Sequence, residues 1–111
     1  MKYKLPLALA ASLLVAASSA FAAEATENYA KYCASCHGKD GAGHTKAGRL
    51  VKVKDLTDGA YQKSFTDADA VKALADGQTD KDGHVQMKPL KDKLTGDEIT
   101  ALVAYVRTLA K

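Results

Sequence analysis

The chain has too few cysteines to be stapled by disulfides. Cys33 and Cys36 are its only two, and they enclose just Ala34 and Ser35, so a bridge between them would constrain almost no chain. A membrane-spanning run is also missing: the apolar stretch Leu5 to Ala17 is shorter than the roughly 20 residues a spanning helix needs and ends in Ser18 and Ser19. Lys2 and Lys4 precede that stretch and Ala20-Phe21-Ala22 supplies an A-x-A cleavage site, so residues 1–22 read as a secretory signal peptide. The expected product is soluble in the compartment beyond the inner membrane, the periplasm. A large excess of basic charge is lacking as well. Removing residues 1–22 leaves 111 − 22 = 89 residues, and losing Lys2 and Lys4 lowers the formal charge from +3 to +1. So balanced a surface excludes the cationic field that nucleic-acid binding requires. Internal repeats, low-complexity tracts and dividing linkers are absent, and with 47% hydrophobic and 26% charged residues the segment 23–111 reads as one globular domain. A domain this small buries little apolar surface and needs a supplement; without disulfides, a cofactor is the better staple.

The patterns that are present are mainly helical. Ala25, Tyr29, Tyr32, Cys33 and Cys36 recur at steps of three and four, which predicts a first helix from about Glu24 to Cys36. Gly38, Gly41, Gly43 and Gly48, half of the eight glycines, mark a loop. Arg49 to Phe65 is weakly patterned: Val51 and Val53 alternate with lysines as a strand would, but a loop fits equally well. A second helix is marked by Thr66 as its cap, Asp67 and Asp69 at its positive end, Val71 and Leu74 on its apolar side and Gly77 at its close. A last helix opens with Thr95 and Glu98 at capping-box spacing and carries Ile99, Leu102, Val103, Val106 and Leu109 as one inward stripe. Tyr105 lies at the edge of that stripe, where a ring can be buried while its hydroxyl stays accessible.

The chemistry is concentrated in Cys33-Ala34-Ser35-Cys36-His37. On a helix turning about 100° per residue, Cys33, Cys36 and His37 project from one face. Two thiols three residues apart can each form a thioether with a vinyl group of a flat macrocycle while the adjacent histidine reaches its metal, which is the C-x-x-C-H arrangement of covalent haem attachment. A thioredoxin-like redox pair would follow a strand in a βαβ setting, and no such strand precedes Cys33. Zinc would need two more ligands, for which only His44 and His84 remain, both in loops.

With that motif on its first helix, a methionine before its last helix and Tyr105 within that helix, the segment 23–111 resembles the class I c-type cytochromes. The resemblance implies an all-α cytochrome c fold around one covalently attached haem c. It implies iron bound by His37 and by Met87, the only methionine after the signal segment, in a loop stiffened by Pro89, with His44 and His84 as the next candidates. It implies that Ala25 and Tyr29 cross Leu102 and Tyr105. Many relatives orient the ligand histidine with a proline carbonyl; here no proline occurs between the signal segment and Pro89, so another carbonyl, in the range Lys46 to Lys52, is expected to serve. Asp55-Leu56-Thr57-Asp58 resembles a family pattern that often begins with proline, replaced here by Lys54. The function implied is electron transfer, not catalysis, by a monomer that meets redox proteins in the periplasm or at the membrane surface: a quinol-oxidising complex or dehydrogenase as donor, a terminal oxidase or reductase as acceptor. Lys88, Lys91 and Lys93, partly offset by Asp92, flank the methionine and could steer docking. The alternative is a haem sensor or peroxidase in which Met87 leaves the iron.

Overall fold

The computed structural model describes residues 21–111; the signal-peptide reading of residues 1–22 falls almost wholly outside them. Helix α1 covers residues 21–32 and buries Ala25 and Tyr29 on one side. The single first helix expected to run through Cys36 is interrupted at Cys33, where the Cys33 carbonyl accepts from the amides of both Cys36 (3.2 Å) and His37 (2.9 Å). That doubly used carbonyl tightens the turn, and a short helix α2 follows over Ala34–His37.

The stretch from Arg49 to Phe65 contains two helices where the alternation of valines suggested a strand or a loop. The Thr45 hydroxyl accepts the Gly48 amide at 2.8 Å and starts α3, Lys46–Val51; Val51 therefore belongs to a helix, which Lys52 closes in the left-handed conformation (φ 53°). A lone threonine cap with no acidic residue three positions on is a faint signal, which is why the pattern hid it. Helix α4, Gly59–Lys63, is capped by Asp58. The two better-marked helices form as expected: α5, Asp67–Asp76, with a capping box between Thr66 and Asp69, and α6, Gly96–Thr108, with one between Thr95 and Glu98.

Between α5 and α6 lies a two-stranded antiparallel hairpin, β1 (Gln78–Thr79) and β2 (Val85–Met87), in which Gln78 faces Met87 and Thr79 faces Val85 across an irregularity. It sits where a plain loop was expected. The fold is nonetheless mostly helical, as expected, the hairpin being a minor addition.

The core gathers Tyr29, Cys33, Leu56, Leu90, Leu94, Ile99 and Leu102, with Leu102 fully buried. The expected crossing of the first and last helices is realised by Tyr29 and Tyr105, whose ring centres stand 5.1 Å apart at a tilt of 47°, an arrangement favoured by the ring quadrupoles. A second junction escaped the sequence. Buried Gln62 donates to the carbonyls of Leu56 (2.8 Å) and Val106 (2.9 Å). Arg107 donates to the Gln62 side-chain oxygen (3.0 Å) and main-chain carbonyl, to the Phe65 carbonyl (2.8 Å) and to Asp67 (2.9 Å). One glutamine and one arginine thus join α4, the start of α5 and the end of α6.

Candidate haem site

Cys33 lies at the break between α1 and α2, buried against the core, while Cys36 and His37 follow within one turn and are half-buried. The two thiols are not bridged. Burial, reinforced by the neighbouring Cys36, pushes the Cys33 thiol up to about 11. A reactive redox pair needs the opposite, a thiol lowered toward neutrality, so this environment favours a protonated sulfur.

His37 donates from Nδ1 to the carbonyl of Lys54 at 3.1 Å. A carbonyl can only accept, so Nδ1 carries the ring proton and Nε2 is left with its lone pair. Burial lowers the His37 pKa, opposed by that hydrogen bond, and so favours the neutral ring that a metal requires. The orienting carbonyl is not within Lys46 to Lys52, as expected, but two residues beyond. Within the expected range, the carbonyls of Gly48 and Arg49 accept the amides of Val53 and Lys52 at the end of α3. Lys54 is also the position at which the sequence departs from the proline of the family pattern. The bond uses only the carbonyl, which every residue has.

Three neighbours brace this turn. The Thr45 hydroxyl donates to the Cys36 carbonyl at 2.7 Å, and Gly48 lies so close to that same carbonyl that a Cβ would collide with it. On the other side the buried Tyr29 hydroxyl donates to the Gly38 carbonyl at 2.6 Å, and burial raises its pKa far above the ordinary phenol value. None of these braces was read from the sequence; only Thr45, a cap residue before a helix, carried a signal.

Met87 is the last residue of β2 and is half-buried. Of the alternative ligands, His44 is exposed. His84 is 75% exposed and tied through Nδ1 to Asp80 at 3.1 Å; Asp80 also accepts the Asp82 and His84 amides, so this side chain organises the hairpin turn. Of the flanking lysines, Lys91 pairs with Asp76 at 3.7 Å, not with Asp92.

A family model described as cytochrome c matches residues 22–110. Among solved structures, the KustC0563 c-type cytochrome is similar at 30% identity and a TM-score of 0.67, covering 78% of this chain and 96% of its own. A point mutant of the same protein is similar at 28% identity and a TM-score of 0.66, covering 78% of this chain and 98% of its own. No curated protein matches the chain.

Proposed function

This chain belongs to the cytochrome c family, and from that premise we propose that Cys33 and Cys36 form the two thioethers and that His37 and Met87 bind the iron. The family carries a covalently attached haem c and serves haem-based electron transfer. In the proposed role the mature protein carries single electrons in the periplasm, from a membrane quinol-oxidising complex or dehydrogenase to a terminal oxidase or reductase. When bound, the haem supplies a one-electron iron couple.

The protein's own part is to hold that couple in a fixed setting. The observation that carries the reading is the donor set of one turn: two unbridged thiols beside a histidine whose Nδ1 proton is committed to the Lys54 carbonyl. Such a ring is fixed in tautomer and orientation and presents Nε2 alone. Tyr29, Thr45 and Gly48 keep the turn from shifting when charge changes. A thioether sulfur from Met87 would favour the reduced state and raise the potential. No helix among the described residues is long and apolar enough to cross a membrane, in keeping with a carrier that moves between partners.

The test is a mass measurement joined to a spectrum. Denatured protein made with haem-attachment machinery should weigh as the chain plus one haem, and Met87→Ala should lose the far-red sulfur-to-iron band of the oxidised form and fall in potential. Pigment that acidified organic solvent strips away would refute the thioethers. A band that survives Met87→Ala would move the sixth ligand elsewhere.

A further inference from the structure

Met87 is held from both sides of its position in the chain. Before it, β2 pairs with β1, so that Met87 faces Gln78. After it, the amides of Leu90 and Lys91 donate to the carbonyls of Leu74 (3.0 Å) and Ala75 (3.2 Å). Those carbonyls belong to the last turn of α5, where a helix leaves its acceptors open. The methionine segment is therefore strapped across the C-terminal end of α5.

Gly77 ends that helix at the crossing. Its amide donates to Ala73 at 2.8 Å, and its backbone takes φ 76° and ψ −178°, a region that only glycine occupies readily. A Cβ at this position would stand 2.5 Å from the Met87 carbonyl oxygen, 2.8 Å from the Pro89 nitrogen and 3.1 Å from the Lys88 carbonyl carbon. All three are backbone atoms, so no side chain can rotate away to make room.

We propose that Gly77 is a positioning residue for the sixth iron ligand: the missing side chain lets the segment 87–89 lie directly on the end of α5, and that contact sets where the Met87 sulfur stands. The proposal rests on the reading of Met87 as a ligand. Gly83, in the turn of the same hairpin, provides the internal comparison. It too has a positive φ (85°), but a Cβ there meets nothing within 4 Å. Gly83→Ala imposes backbone strain on the hairpin without a collision; Gly77→Ala imposes both.

The experiment uses the haem-loaded protein in three forms, wild type, Gly77→Ala and Gly83→Ala, with the far-red sulfur-to-iron band read in the oxidised state and carbon monoxide association read in the reduced state. Wild type and Gly83→Ala should keep the band and exclude carbon monoxide. Gly77→Ala should lose the band, or lose it at lower pH, and bind carbon monoxide at least about tenfold faster as the population shifts toward an open site. A folded Gly77→Ala that matches Gly83→Ala in both readouts overturns the inference while leaving Met87 as the ligand; a wild type with no band overturns the ligand reading itself. Hydrogen exchange on the wild type supplies a measurement that needs no variant. The Leu90 and Lys91 amides should be protected while the band persists and lose protection at the pH where it disappears. Fast exchange at those amides with the band intact would show that Met87 is held without this strap, and the inference would fail.

Discussion

At the scale of single residues, the chemistry depends on main-chain atoms as much as on side chains. Cys33, Cys36 and His37 are open to sequence reading because a motif is a spacing of side-chain types. The group that orients His37 is a carbonyl, and carbonyls leave no trace in composition; only the folded chain shows that Lys54 supplies it. This makes a specific expectation about Lys54. Its side chain is exposed and its amide lies in an irregular stretch between α3 and α4, so Lys54→Pro should preserve the bond from His37. The ring would also restrict the unfolded chain, so the variant should be equally stable or more stable by about 0.4–1 kcal/mol. The check is a denaturant titration alongside the proton resonance of His37 Nδ1. A lost or strongly shifted Nδ1 proton in Lys54→Pro would show that the lysine does more than lend its carbonyl.

At the scale of elements, α5 and α6 were recoverable because a threonine three residues before a carboxylate, followed by helical apolar spacing, states its own boundary. The helices α3 and α4 were not: at 6 and 5 residues they are too short for periodicity to register, and packing and caps hold them in place. The hairpin that ends in Met87 was hidden for the same reason, its strands being 2 and 3 residues long. The two capping boxes have a pH consequence. In both, the bonds to the cap residue hold the carboxyl of Asp69 and of Glu98 below the ordinary carboxylate range. A carboxylate depressed in the folded state contributes stability that is complete above its unfolded pKa, about 4, and lost as pH falls through the folded value. Stability should thus decline on acidification below about pH 5, and Glu98→Gln should make that decline shallower while costing stability at neutral pH. Parallel denaturant titrations at neutral and acid pH test this; equal acid slopes in variant and wild type would remove Glu98 from the account.

The surface around Met87 is the one on which the proposed docking of a redox partner would depend. Lys72 and Lys91 both reach Asp76, at 3.2 and 3.7 Å, whereas Lys88 and Lys93 have no ion pair among the described residues and are exposed. Exposed pairs hold charge only weakly, but they bend a side chain toward its partner and away from a docking surface. If the methionine side meets an acidic redox protein, electron delivery should slow as salt rises. Lys88→Gln and Lys93→Gln should flatten that dependence more than Lys91→Gln. Stopped-flow rates across a salt series decide it, and a rate indifferent to salt would leave the three lysines as solubility residues.

For the whole molecule, the question is why a domain with a small core should be rigid where electrons pass. Among the described residues the buried apolar set amounts to Ala25, Tyr29, Cys33, Leu56, Leu90, Leu94, Ile99, Leu102 and Val103, little for a chain of this length, and one of its members is a cysteine of the attachment motif. Cofactor and core are therefore one structure: the same Cys33 that packs beside Tyr29 and Leu102 is proposed to be bonded to the haem. Closure follows from that economy. With His37 braced by Lys54, and with Met87 strapped to α5 by Leu90 and Lys91, the proposed ligation would let an external molecule reach the iron only after the sulfur departs, and departure would pull on a strap whose amides are already paired. A carrier gains from such closure, because keeping the same two ligands in both oxidation states leaves little to rearrange as the electron moves; a sensor or peroxidase would lose its open position. Reduced wild-type protein should accordingly bind carbon monoxide negligibly near neutral pH and turn over peroxide no faster than haem proteins at large, and Met87→Ala should gain carbon monoxide binding. Rapid carbon monoxide binding by the unmutated protein would mean that the strap opens under ordinary conditions, and the sensor or peroxidase reading would then displace electron transfer.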